Sequence, residues 1–72
     1  MKVKNLKEIR ISKNILQKDA AEKSGISGPF YSLIEMGLRN PSIDTAKSMA
    51  TSLGITLDEF YESLQLSKEG KI

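Results

Sequence analysis

The sequence predicts an all-α fold, a compact bundle of five helices in a single domain. Three observations predict it. Apolar residues recur every three or four positions almost throughout, the spacing of helices that bury one face. Residues that end helices, Asn14, Gly25, Gly37 and Gly54, punctuate that pattern. No segment shows the sustained alternation of a half-buried strand. The chain has 72 residues, 39% apolar and 28% charged, which is a soluble globular composition at the low end of independently folding size.

The elements follow in order. Val3, Leu6 and Ile9 line one face of a first helix, which Asn14 ends by tolerating the left-handed conformation. A second helix runs from about Leu16 to Ser24, burying Ala20 and Ala21, and stops at Gly25. Ser27 caps a third helix, with Pro29 in its first turn, where a missing N–H costs nothing. That helix carries Phe30, Tyr31, Leu33 and Ile34 and stops at Gly37; Leu38 to Pro41 form a loop. Ser42 caps a fourth helix with Ile43, Ala46, Met49, Ala50 and Leu53 on its inner face, ended by Gly54. Thr56 and Glu59 make a capping box for a fifth helix. Its apolar positions are Leu57, Phe60, Tyr61 and Leu64, at i, i+3, i+4 and i+7. The domain is expected to occupy residues 1–66, with 67–72 as a flexible tail.

Composition excludes several classes of function. The chain contains neither Cys nor His, so it offers no disulfide framework, no Cys/His zinc site and no thiol or imidazole catalyst. No metal or cofactor is implied, and an enzyme is not expected: the neighbouring carboxylates Asp58 and Glu59 belong to a helix cap. No apolar run exceeds two residues, against ~20 for a membrane-spanning helix. No membrane partner is expected, and a cysteine-free chain without a signal segment is expected in the cytoplasm.

The net charge of +2 is too small to name a partner, but it is unevenly placed. Residues 1–13 hold Lys2, Lys4, Lys7, Arg10 and Lys13 against Glu8; residues 55–72 hold Lys68 and Lys71 against Asp58, Glu59, Glu62 and Glu69. One end suits an anion and the other does not.

The segment QKDAAEKSGISGPFYSLIEM, Gln17 to Met36, meets the demands of a helix-turn-helix. Ala21 is small where two helices cross, Gly25 supplies the turn, and Ala20, Ile26, Tyr31 and Ile34 are the inward apolar residues. Over Leu6 to Leu64 the chain resembles the lambda-repressor-like, Cro/CI-type (xenobiotic-response-element) helix-turn-helix regulators. The resemblance rests on Leu6, Ile9 and Arg10; on Gln17, Ala21, Gly25, Ile26 and Ser27; and on Ser32, Ile34 and Glu35. It rests further on the runs Gly37-Leu38-Arg39-Asn40-Pro41-Ser42 and Leu53-Gly54-Ile55-Thr56-Leu57-Asp58-Glu59-Phe60.

The resemblance implies a sequence-specific regulator of transcription that binds a double-stranded DNA operator, acts as a repressor by occupancy, and places its third helix in the major groove. Gln17 matches the position that grips a phosphate. Ser27, Phe30 and Ser32 match positions at the groove edge, and Arg39 and Asn40 match a loop that reaches phosphates. Arg10 and Glu35 match an internal ion pair. Lys13 is a candidate for a further phosphate contact. The resemblance also implies a homodimer through Leu57, Phe60, Tyr61 and Leu64. No effector-binding domain is expected, and no small-molecule effector is implied.

Two departures stand out. The family's base-reading positions are Gly28, Pro29 and Leu33, none with a polar side chain. Three accounts stay open: apolar contact with thymine methyl groups, readout of DNA shape, or a third helix that faces a protein, as in an antitoxin or anti-repressor. Leu16 stands where the family usually has a capping Ser or Thr, at a cost of about 1 kcal/mol.

Overall fold

The computed structural model describes residues 4–69. Those residues form five helices: α1 (Leu6–Ser12), α2 (Gln17–Ser24), α3 (Gly28–Glu35), α4 (Ile43–Leu53) and α5 (Leu57–Glu69). No strand occurs among them. The fold is the all-α, five-helix arrangement the spacing predicts, and it fits the lambda-repressor-like fold that the resemblance implies. Val3 and residues 70–72 lie outside the described residues.

Each helix begins and ends where local chemistry dictates. Asn5 and Glu8 form a reciprocal capping box at α1, each side chain accepting from the other's backbone N–H at 2.9 Å. Asn14 takes the left-handed conformation (φ 58°) beyond α1. Ser27 and Ser42 cap α3 and α4 by accepting from the N–H of Phe30 and Thr45. Gly25 and Gly54 end α2 and α4 in the left-handed region. Thr56 and Glu59 close the predicted capping box at α5, and the hydrogen bonds from the Thr56 backbone N–H and side chain hold the Glu59 carboxyl below its ordinary range. Leu16 begins α2 with no side-chain cap and is exposed.

The core comprises Leu6, Ala20, Ala21, Tyr31, Ile34, Ala46, Met49, Ala50, Leu53, Phe60 and Leu64. Tyr31 is fully buried, and its hydroxyl has no hydrogen-bond partner among the described residues. Burial pushes that phenol up to about 12.

Three expectations are corrected here. The fifth helix does not fray after Leu66 but runs to Glu69. Ser67 is buried, donates to the Ser63 carbonyl at 3.2 Å and accepts the Leu6 N–H at 3.3 Å, which ties the last turn of α5 to the start of α1. Gly37 (φ 80°) packs against the same turn: a Cβ there would lie 2.7 Å from the Lys68 Cα. Second, Phe60 and Leu64 are core residues at 0% and 4% exposure and are not free for an interface, whereas Tyr61 remains exposed. Helix α5 spends its apolar stripe on its own protomer. Third, Ile43 is exposed, because it is the first residue of α4 and precedes the turn that reaches the core.

Candidate nucleic-acid interface

Helices α2 and α3 are joined by a three-residue turn, 25–27. Gly25 supplies its left-handed residue, and the Ile26 N–H donates back to the Ala21 carbonyl at 3.2 Å. Ala20, Tyr31 and Ile34 then meet in the core. This is the helix-turn-helix unit, and its orientation is fixed from α1.

The fixing element is a buried network. Arg10 donates to Glu35 twice, Nε to Oε2 at 2.7 Å and Nη2 to Oε1 at 3.2 Å. Its Nη1 donates to the Ile15 carbonyl at 2.8 Å, holding the loop that leads into α2. Gln17 joins from the first position of α2, its Nε2 donating to Glu35 Oε1 at 3.1 Å. The two charged side chains are 11% and 4% exposed, so each depends on the other. The hydrogen bond from Arg10 to Glu35 holds the guanidinium still further above its ordinary value. The ion pair expected between Arg10 and Glu35 is therefore present, and Gln17 is part of it.

The remaining candidates divide by position. On α3, Ser27 and Pro29 are exposed, while Gly28, Phe30, Ser32 and Leu33 are half-buried. Phe30 packs partly against the core, which leaves it less to offer a partner than its neighbours. Gln17 and Ser32 line one open groove of about 620 Å³, together with Asn5, Lys7 and Met36. Arg39 and Asn40 are exposed in the loop after α3, and the Arg39 Nη1 donates only to the adjacent Leu38 carbonyl, at 3.3 Å.

Lys13 lies elsewhere. Its ammonium donates to the Leu53 carbonyl at 2.6 Å and approaches the Gly54 carbonyl at 3.5 Å, at the C-terminus of α4. A cation there satisfies carbonyls that have no helical partner and complements the helix dipole. The expectation of a phosphate contact at Lys13 is replaced by this structural role. Sequence reasoning also missed Met36 and Leu38, exposed at 45% and 46% beside the candidate site. The signal was available for Met36, which follows Ser32 by one helical turn. Among the described residues no helix is long and apolar enough to cross a membrane.

This geometry, a helix pair with a glycine turn locked to a first helix by a buried ion pair, is that of a helix-turn-helix DNA-binding domain. The helix-turn-helix family's model matches residues 6–60, and the chain belongs to that family of DNA-binding transcriptional regulators. Among curated relatives, the HTH-type transcriptional regulator DdrOP3 of Deinococcus deserti is 37% identical over 60 residues, covering 83% of this chain and 46% of that protein. The uncharacterized HTH-type transcriptional regulator YqaF of Bacillus subtilis is 33% identical over 59 residues, 82% of this chain and 78% of that protein. The HTH-type transcriptional regulator PuuR of Escherichia coli is 32% identical over 69 residues, 96% of this chain and 37% of that protein. The chain thus spans less than half the length of DdrOP3 and PuuR. No solved structure matches.

Proposed function

We propose that this chain binds an operator in double-stranded DNA as a homodimer, with α3 in the major groove, and represses transcription by occupancy in the cytoplasm. The observation that carries this reading is the shared groove: it unites Gln17 at the start of α2 with Ser32 on α3, on an element held rigid by the Arg10–Glu35 pair. Gln17, Arg39 and Asn40 serve as phosphate-side contacts, which set register and affinity, while the outer face of α3 meets the bases. Two-fold pairing sets two recognition helices about one DNA turn apart. With Phe60 and Leu64 committed to the core, Tyr61 and the half-buried Leu57 are the α5 residues left for a partner protomer.

The test is selection from a random-sequence DNA pool at two salt concentrations. Operator binding requires an enriched sequence and an affinity that falls as salt rises. Arg39→Ala weakens binding to every sequence and flattens the salt slope by roughly two, one cation lost from each protomer of the dimer. Tyr61→Asp yields monomer in sedimentation, and an unchanged dimer mass moves the interface elsewhere. A pool with no enrichment and no salt dependence refutes the proposal.

A further inference from the structure

The chain has three methionines, and the two among the described residues differ sharply in access. Met49 is fully buried in the core, whereas Met36 is 45% exposed at the end of α3. Met1 lies outside the described residues. Met36 is the C-cap of α3, and its backbone N–H donates to the Ser32 carbonyl at 3.0 Å. The next residue, Gly37, lies close against the Lys68 backbone, which fixes the main chain that presents Met36.

Its side chain stands beside the proposed DNA contacts. Met36 lines the open groove together with Lys7, Gln17 and Ser32, and the Ser32 hydroxyl donates toward its sulfur at 3.8 Å. A thioether sulfur is a weak acceptor, so that hydroxyl stays available to a stronger one. Lys7, Gln17 and Ser32 all carry N–H or O–H donors, and the one carboxylate in the groove wall, Glu35, is taken up by Arg10 and Gln17. The groove thus suits phosphate oxygens, with a soft, uncharged sulfur in its wall.

We propose, resting on the operator reading above, that Met36 is an oxidation site through which hydrogen peroxide loosens the hold on DNA. The sulfur lone pair attacks one peroxide oxygen, and a sulfur–oxygen bond forms as the oxygen–oxygen bond breaks. The departing hydroxide takes the proton from the transferred oxygen and leaves as water. The sulfur loses two electrons and the peroxide gains them. The product, a sulfoxide, is polar where the thioether was apolar, and its oxygen is a strong acceptor. That oxygen takes the Ser32 hydroxyl out of the donor set and turns partial negative charge toward an incoming phosphate. Because Met36 is at the surface, the core is untouched, and enzymatic reduction of the sulfoxide reverses the change.

The test uses the full chain and the sequence enriched from the random pool. Brief treatment with hydrogen peroxide, followed by mass spectrometry of proteolytic peptides, should add one oxygen to Met36 well before Met49. The chain oxidised at Met36 should bind that sequence about ten-fold more weakly or worse, a hydrogen bond lost from each protomer, with its melting temperature unchanged. Methionine sulfoxide reductase should restore the affinity. Met36→Leu, whatever its own starting affinity, should not respond to peroxide, which separates Met36 from Met1. Oxidation of Met49 no later than Met36, an oxidised chain that binds as the parent does, or an equal peroxide response in Met36→Leu overturns this proposal and leaves operator binding standing. A pool with no enriched sequence overturns both.

Discussion

Replacing Arg10 by Met removes the keystone of the site while keeping most of its volume. In the parent chain Glu35 is 4% exposed in its side chain and accepts from Arg10 at 2.7 and 3.2 Å and from Gln17 at 3.1 Å. Arg10→Met leaves a buried carboxylate with one neutral donor, and it strands the Ile15 carbonyl as well. Breaking a buried pair from one side costs about 3–5 kcal/mol. A 72-residue domain has roughly 4–11 kcal/mol in total, so the variant loses about a quarter of its stability or more. Urea unfolding followed by far-ultraviolet circular dichroism measures this directly, and the melting temperature should fall by at least about 12 °C. The double variant Arg10→Met/Glu35→Leu removes both charges and should recover most of the loss. It should stay about 1 kcal/mol short, because the Ile15 carbonyl still lacks its donor. Two results refute the reasoning: a single-variant cost below about 1 kcal/mol, or a double variant whose loss equals the sum of the two singles.

Three further outcomes follow from the geometry. Gly37→Ala must place a Cβ 2.7 Å from the α5 backbone at a φ of 80°, and should destabilise by about 2–4 kcal/mol in the same unfolding assay, the sum of conformational strain and overpacking. Tyr31→Phe removes a buried hydroxyl with no partner among the described residues and should be neutral or stabilising. Because the folded phenol is raised to about 12 from an ordinary 10, the native state holds the proton longer than the unfolded chain. Stability should therefore fall between pH 10 and 12, by up to about 1.4 kcal/mol per pH unit, and the Tyr31→Phe chain should lack that component. Lys13→Met should cost about 1 kcal/mol through the α4 C-terminus and leave the salt dependence of DNA binding unchanged; a flatter salt slope would return Lys13 to the interface.

Helix positions, caps and the turn of the helix-turn-helix were legible in the sequence because each rests on chemistry within three or four residues. Ser27, Ser42, Thr56, Gly25 and Gly54 act on their own neighbours, and all stand where local rules put them. What was not legible depends on partners distant along the chain. The last turn of α5 looked polar and terminal, yet Ser67 meets the Leu6 N–H across 61 positions. Lys13 looked like a free cation beside α2, yet its partner is Leu53, 40 positions away. The α5 stripe looked wide enough for a second protomer because periodicity counts apolar residues without counting the surfaces that cover them. In this domain α1, α3 and α4 all pack on α5, and Phe60 and Leu64 are used up inside. The Arg10–Glu35 pair was reached through resemblance, whereas the attachment of Gln17 to it appears only in three dimensions.

That attachment changes how the site must be tested. In so short a chain one helix serves two masters: α3 gives Tyr31, Ile34 and Glu35 to the interior and Gly28, Pro29, Ser32 and Leu33 to the outside. A loss of DNA binding after substitution at Glu35, Arg10 or Gln17 is therefore ambiguous, since each also bears on how α2 and α3 are held. Arg39 and Asn40 escape the ambiguity because they are exposed in a loop. Affinity measured at these two positions against a constant melting temperature separates contact with DNA from support of the fold. Thermal stability thus serves as the control for each binding measurement, and a variant that moves both says nothing about the interface.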